Sequence, residues 1–276
     1  MLQFDMRSLF VILLALFLAA CGGNDVPCDN HHVDVIAHAG GVAGGYVYTN
    51  SREALQRSLR KGYRYIEFDF LFTADSVLVA AHDWESFNKR TGFAHKGTAA
   101  PTYAEFKACR IDGCFTPLSA TEINEVFESD TTIYLVTDKE SSPQVLEKYF
   151  PRLKNRMVVE AFSYSDYTAL LGAGYHRVLY SCLATDLVEG LFKHLLLPGC
   201  FSGPRIEWIT MYEGELDNII FRIIDAFASF KMALFTVNDY FEVPPSVLPK
   251  VGMVYSDIMD PDWDYPSDMI ERRLNK

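Results

Sequence analysis

The sequence predicts an α/β protein, a single-domain (β/α)8 barrel of the TIM type with an accessory loop or hairpin region. Three observations carry that expectation. From residue 131 onward, short apolar runs alternate with helical patterns, the order of a parallel sheet. No Gly-x-Gly-x-x-Gly follows any strand, so a nucleotide-binding doubly wound sheet loses ground. His38, Glu67, Asp69, His82, Asp138, Asn238 and Asp257 all fall at or just past strand C-termini. A barrel gathers such positions on one rim, where barrel active sites lie.

Taken in order, residues 33–38 form a strand that ends in His38, and a glycine-rich loop follows over 40–45. Ser51 caps a helix that runs to Lys61; Ala54, Leu55 and Leu59 recur at helical spacing and Gly62 stops it. Residues 64–83 are two strands joined by the tight connection 73–76. Alternation puts Glu67 and Asp69 on one face of the first strand, with Ile66, Phe68 and Phe70 on the other. Two carboxylates on one face of an apolar strand repel each other and resist burial without a counter-charge. A hard cation with oxygen ligands, Ca²⁺ or Mg²⁺, resolves the conflict; a solvent-facing pair of acids is the alternative. His82, closing the second strand, supplies a proton-transfer group nearby.

Residues 84–99 read as a polar loop, 102–109 and 121–128 as short helices, and 131–137 as a strand running into Asp138 and Lys139. Helices are then expected over 144–150, 165–171, 187–196 and 216–230. They alternate with strands over 157–162, 177–180, 205–211 and 233–237, and 253–256 is the last strand. Nine candidate strands are one more than a barrel needs, so one belongs to a hairpin. Glu160 lies near the end of a barrel strand, where it either lines the pocket or makes a hydrogen bond within a core layer.

The 276 residues carry 25 basic and 36 acidic side chains, a net charge of −11. That balance argues against a nucleic-acid partner and against a strongly anionic membrane surface. Residues 1–20 read as an export signal, apolar from Leu9 to Ala20 and ending in Leu-Ala-Ala-Cys. That ending resembles a bacterial lipobox, which makes Cys21 the lipidated residue and the bacterial cell envelope the location. Residues 21–32 have linker composition and tether the domain, 33–276, to the membrane through the lipid on Cys21. In an exported chain the best disulfide pair is Cys109 with Cys114, then Cys182 with Cys200, and Cys28 is left over.

The ordered motifs resemble the glycerophosphodiester phosphodiesterase family. They comprise Ile36-Ala37-His38-Ala39-Gly40-Gly41, Tyr48-Thr49-Asn50-Ser51, Glu67-x-Asp69, His82-Asp83, Arg90-Thr91-Gly92, Ala161-Phe162-Ser163 and Phe235-Thr236-Val237-Asn238. The resemblance implies a barrel that hydrolyses a small phosphodiester with a divalent cation. It implies His38 and His82 as the acid/base pair and Glu67 and Asp69 as ligands of Ca²⁺ or Mg²⁺. Lys139 and Asn50 become binders of substrate or phosphate. The family's third ligand lies two residues before the lysine, where this chain has Thr137, so Asp138 is expected to take the role through a local shift. A family arginine that binds phosphate is replaced by Ala39. Ala39 and Thr137 motivate an alternative, a catalytically silent envelope module that binds a phosphorylated ligand. A further alternative is a phospholipase acting on intact lipid, with Trp84, Phe87 and Phe93 as candidates for an apolar rim.

Overall fold

The computed structural model describes residues 32–186, 190, 193–194, 202–216, 221, 229–244 and 246–261. The expected signal, Cys21, Cys28, Cys200 and most of the helices expected over 187–196 and 216–230 lie outside the described residues.

Eight parallel strands close into a barrel. They are β1 (Asp34–Ala37), β2 (Tyr65–Phe72), β4 (Tyr134–Asp138), β5 (Met157–Ala161), β6 (Val178–Ser181), β7 (Trp208–Tyr212), β8 (Lys231–Phe235) and β9 (Val251–Ser256), in that order around the circle. Closure is direct, because β1 pairs with both β9 and β2. The ninth strand, β3 (Leu78–Ala80), runs antiparallel to the far end of β2 and is the expected hairpin piece. Among the described residues the helices are α1 (Arg52–Lys61), α2 (Trp84–Thr91), α3 (Tyr103–Ala108), α4 (Ala120–Ser129), α5 (Pro143–Tyr149) and α6 (Tyr164–Gly172).

Register fixes which side chains face the interior, since paired residues of parallel neighbours share a face. Ile36, Tyr65, Val136, Val158, Leu179, Ala233, Met253 and Tyr255 fill the inside of the barrel. A larger apolar layer, including Phe68, Phe70, Phe127 and Phe150, packs between sheet and helices. By the same alternation Glu67, Asp69, Asp138, Glu160, Ser181 and Thr210 point inward.

Local chemistry explains the ends of α1. The Ser51 hydroxyl accepts from the Ala54 N–H, and Gly62 at φ 86° provides the left-handed stop. The expected polar loop over 84–99 is instead α2 for its first two turns. Asp83 accepts from the Ser86 N–H at 2.7 Å, Gly92 ends the helix in the left-handed region, and Phe87 and Asn88 are buried. Caps and one buried face offset the low apolar content that made this stretch read as loop. The expected Cys109–Cys114 disulfide is also not formed. Both thiols are free: Cys109 is buried with Sγ donating to the Phe106 carbonyl, while Cys114 is exposed. Backbone pairing of Ile111 with Phe115 and the left-handed Asp112 close that turn without a covalent bridge.

Candidate active site

At the C-terminal ends of the strands, Glu67, Asp69 and Asp138 each offer a carboxylate oxygen within 4.8 Å of the others. Glu67 and Asp69 are 1% exposed. Burial pushes the Glu67 carboxyl well above the usual carboxylate range, and the neighbouring Asp69 and Asp138 add to the push. Asp69 is raised to about 6 by burial and by Asp138. Glu67 Oε2 accepts from the Ala39 N–H at 2.6 Å, whereas Oε1 is buried with no partner. An orphaned carboxylate oxygen beside two more carboxylates fits a hard divalent cation, which oxygen ligands satisfy and whose charge removes the repulsion.

The mismatch at Thr137 has a geometric answer. Asp138 is paired with Asp69 across the β2–β4 ladder and shares its inward face, while Thr137 pairs with Phe68 on the outer face. Lys139 then takes φ 69°, which turns its side chain back so that Nζ lies 3.0 Å from Asp138 Oδ2. Burial would lower the Lys139 ammonium, but Asp138 and Asp69 outweigh it and hold it above its usual value.

His38 follows β1 and is 8% exposed, with Nδ1 3.1 Å from Asp257 Oδ1. Asn238 donates to the other Asp257 oxygen at 3.0 Å and accepts from the Asp257 N–H. Burial alone would raise Asp257, yet the hydrogen bonds from His38 and Asn238 hold its carboxyl below the usual value. His82 is tied in the same way, Nδ1 to Asp83 Oδ2 at 2.9 Å. A carboxylate at each Nδ1 assigns the proton there and leaves both Nε2 atoms for chemistry. Backbone pairing of Ala81 with Asp69 carries His82 to the cluster.

Between the two histidines stands Tyr48, edge-on to His38 at 4.3 Å and to His82 at 5.5 Å between ring centroids. Its backbone is left-handed at φ 57°. Arg90 holds it there: Nη1 donates to the Tyr48 carbonyl at 2.5 Å, Nη2 to the Val47 carbonyl at 3.3 Å, and Nε to Asp112 at 3.0 Å. Asn50, also left-handed, gives Nδ2 to Asp69 Oδ2 at 2.9 Å and takes the Asp69 N–H on Oδ1. Arg90→Lys keeps the charge but not the fork. It is expected to lower kcat about tenfold with KM little changed, by displacing Tyr48 and both rings; steady-state kinetics check this.

Sequence reasoning thus assembled most of the cluster, and Asn238 and Asp257 reach the rim as expected. It missed Tyr48, whose left-handed backbone has no sequence mark in a tyrosine. Glu160 is inward and 5% exposed, and burial followed by Asp138 raises its carboxyl well above the usual range. Of the aromatics named as candidates for an apolar rim, none is exposed. Trp84 packs edge-on to Phe87 and Phe106, Phe87 is buried, and Phe93 packs on the same cluster beneath α2 and α3.

Residues 41–167 match the model of the Glycerophosphoryl diester phosphodiesterase family. Over that segment the chain is similar to the family. Solved structures agree in fold. A glycerophosphodiester phosphodiesterase from Parabacteroides distasonis is 18% identical with a TM-score of 0.61, over 90% of this chain and 100% of that one. An Oleispira antarctica phosphodiesterase, in complex with the product sn-glycerol-3-phosphate, is 18% identical with a TM-score of 0.57, over 88% and 97%. A Thermotoga maritima glycerophosphodiester phosphodiesterase is 19% identical with a TM-score of 0.57, over 83% and 96%. Curated protein sequences give no match to the chain. In a barrel of this kind, the acidic cluster and paired histidines sit at the end of the strands where active sites lie.

The raised carboxylates make a pH prediction. Asp69 holds its proton more tightly folded, about 6, than at its ordinary 3.8, so the folded state binds more protons between those values. Stability of the cation-free protein therefore falls as pH rises through that window. In EDTA the melting temperature is expected to be higher at pH 4.5 than at pH 7, and saturating Ca²⁺ or Mg²⁺ should remove or reverse the difference. Thermal melts at the two pH values, with and without cation, check the sign.

Proposed function

We propose that the protein hydrolyses a phosphodiester, such as a glycerophosphodiester or related headgroup, with a divalent cation and two histidines. The observation that carries the reading is the three-carboxylate cluster with its orphaned Glu67 oxygen, set beside two histidines that each rest Nδ1 on a carboxylate. Glu67, Asp69 and Asp138 would hold Ca²⁺ or Mg²⁺. Bound there, the cation would neutralise phosphate charge and the charge that develops in the transition state.

The residues of the chain do the rest. Lys139 and the second amide hydrogen of Asn50 meet phosphate oxygens, while Asn50 orients Asp69. One histidine Nε2 takes a proton from water as its oxygen attacks phosphorus. The other Nε2 gives a proton to the alcohol oxygen as its bond to phosphorus breaks. Tyr48 keeps the two rings apart, which suits in-line displacement from opposite sides. Location at the bacterial envelope through a lipid on Cys21 belongs to the same proposal and rests on the Leu-Ala-Ala-Cys pattern. Cys21→Ala should release the protein from the membrane fraction.

The test is turnover by the full-length protein of glycerophosphodiesters and a chromogenic phosphodiester, each with Ca²⁺, Mg²⁺ or EDTA. EDTA-sensitive turnover that His38→Ala loses is the expected result. Cation binding by a folded protein without turnover of any of these would favour the silent module and put the weight on Ala39. That residue is fully buried at φ 48°, with its N–H on Glu67.

A further inference from the structure

Ala39 at φ 48°, Tyr48 at φ 57° and Asn50 at φ 48° are left-handed residues other than glycine, and they lie together at the site. L side chains disfavour that backbone, so it persists only where the surroundings impose it. For Asn50 the restraints are its N–H on the Ala39 carbonyl at 3.0 Å and its two bonds to Asp69. For Tyr48 the restraint is Arg90, itself locked through Nε and Nη2 on Asp112. A whole guanidinium is thus committed to two main-chain carbonyls and one carboxylate. The side chain it presents is a half-buried phenol standing edge-on between the two histidines.

The hydroxyl of that phenol is within reach of both halves of the site. It hydrogen-bonds with Thr236, and the carboxylates that bear on it are Asp257, Asp69 and Glu67. Thr236 Oγ1 lies in turn 3.4 Å from His38 Nδ1. Burial lifts the phenol to about 12, so at neutral pH it keeps its proton and can donate. In-line displacement puts the attacking and leaving oxygens on opposite sides of phosphorus, one at each histidine Nε2. The non-bridging oxygens then lie in the plane between the two rings, and a group that is edge-on to both faces that plane. Other positive donors are committed elsewhere: Arg90 to the clamp, and Lys139, which follows β4, to Asp138. Position 39 offers a buried methyl group.

We infer that Tyr48 is a catalytic residue: its hydroxyl donates a hydrogen bond to a non-bridging oxygen of the reacting phosphoryl group and supplies the contact that Ala39 cannot. This rests on the phosphodiesterase reading and goes beyond the spacing of the rings. Thr236 is the positioning partner, its hydroxyl donating to the phenol oxygen so that the phenol proton is left for phosphate. The bond strengthens as charge gathers on the non-bridging oxygens, so its weight falls on the chemical step rather than on binding.

The experiment uses Tyr48→Phe in the full-length protein, which keeps the ring between the histidines and the carbonyls on Arg90 but removes the hydroxyl. With glycerophosphocholine and saturating divalent cation, kcat is expected to fall about 10²-fold with KM little changed. The stabilisation that the cation gives in thermal melts should match the wild type, since the carboxylates are untouched. Two phosphorothioate analogues of glycerophosphocholine, with sulfur at one or the other non-bridging position, then locate the bond. Sulfur is a poor acceptor, so at the position facing Tyr48 it should slow the wild type about tenfold. Tyr48→Phe should abolish that slowing and leave the effect of sulfur at the other position unchanged. Activity of Tyr48→Phe within about threefold of the wild type makes the ring a spacer only and overturns this inference alone. So does a loss of kcat that leaves both sulfur effects as in the wild type, or one that comes with loss of the cation's stabilisation. No turnover of glycerophosphocholine by the wild type overturns the phosphodiesterase reading and this inference together.

Discussion

Asp69→Asn is expected to remove cation-dependent activity by a factor of about 10³ or more while raising the melting temperature of the cation-free protein. The two effects share one cause. Asp69 is 1% exposed and lies within reach of Glu67 and Asp138, so without a cation its charge is a burden on the fold. Asparagine keeps an oxygen for the Asn50 amide and the volume of the side chain, yet removes the repulsion. Relief of about 1 kcal/mol corresponds to a few degrees in a domain of this size. The same change leaves too little charge to hold a divalent cation, so the stabilisation that Ca²⁺ or Mg²⁺ gives the wild type should vanish with the activity. Glu67→Gln should behave alike, since the amide oxygen can still accept from the Ala39 N–H. Melts and turnover with and without EDTA decide the matter; full activity in either variant would sink the metal assignment.

His38→Ala is expected to cost about 10²–10⁴ in kcat, the usual worth of a positioned acid or base. Asp257→Asn should cost less, about 10², and is the more informative variant. Asparagine can turn its NH₂ toward Nδ1, which favours the opposite tautomer and moves the proton to Nε2, the atom the reaction uses. Asn238 would lose its charged acceptor but keep its bond to the Asp257 backbone. A merely structural role for Asp257 would lower stability and leave the pH–rate profile in place. A tautomer role shifts that profile, and the profile is the measurement to make.

The barrel could be read from the chain because strand–helix alternation and the position of polar residues at strand ends are one-dimensional signals. Glu67 and Asp69 needed only the two-residue period of a strand. Asp138 needed more. The family spacing fell on Thr137, with Asp138 expected in its place, and the pairing of Asp138 with Asp69 shows that Asp138 shares the inward face. α2 was invisible because its stability comes from Asp83, Gly92 and two buried residues rather than from a long apolar stripe. The His38–Asp257 contact spans 219 residues, and ring closure of the sheet, not local pattern, brings the two together. Tyr48 depends on Arg90, whose motif was legible although its job was not.

The aromatic cluster beneath α2 and α3, built on Phe87, Phe106, Ile111 and Phe115, is separate from the two layers of the barrel. Such a cluster can open as a cooperative unit at lower free energy than global unfolding. Arg90, which holds Tyr48, lies on α2, and His82 immediately precedes it, whereas the three carboxylates ride on the sheet. Partial denaturation would thus disarm proton transfer while the acidic cluster persists. Activity should disappear at a lower denaturant concentration than circular dichroism of the barrel, and amide exchange in residues 84–115 should outpace that of the strands.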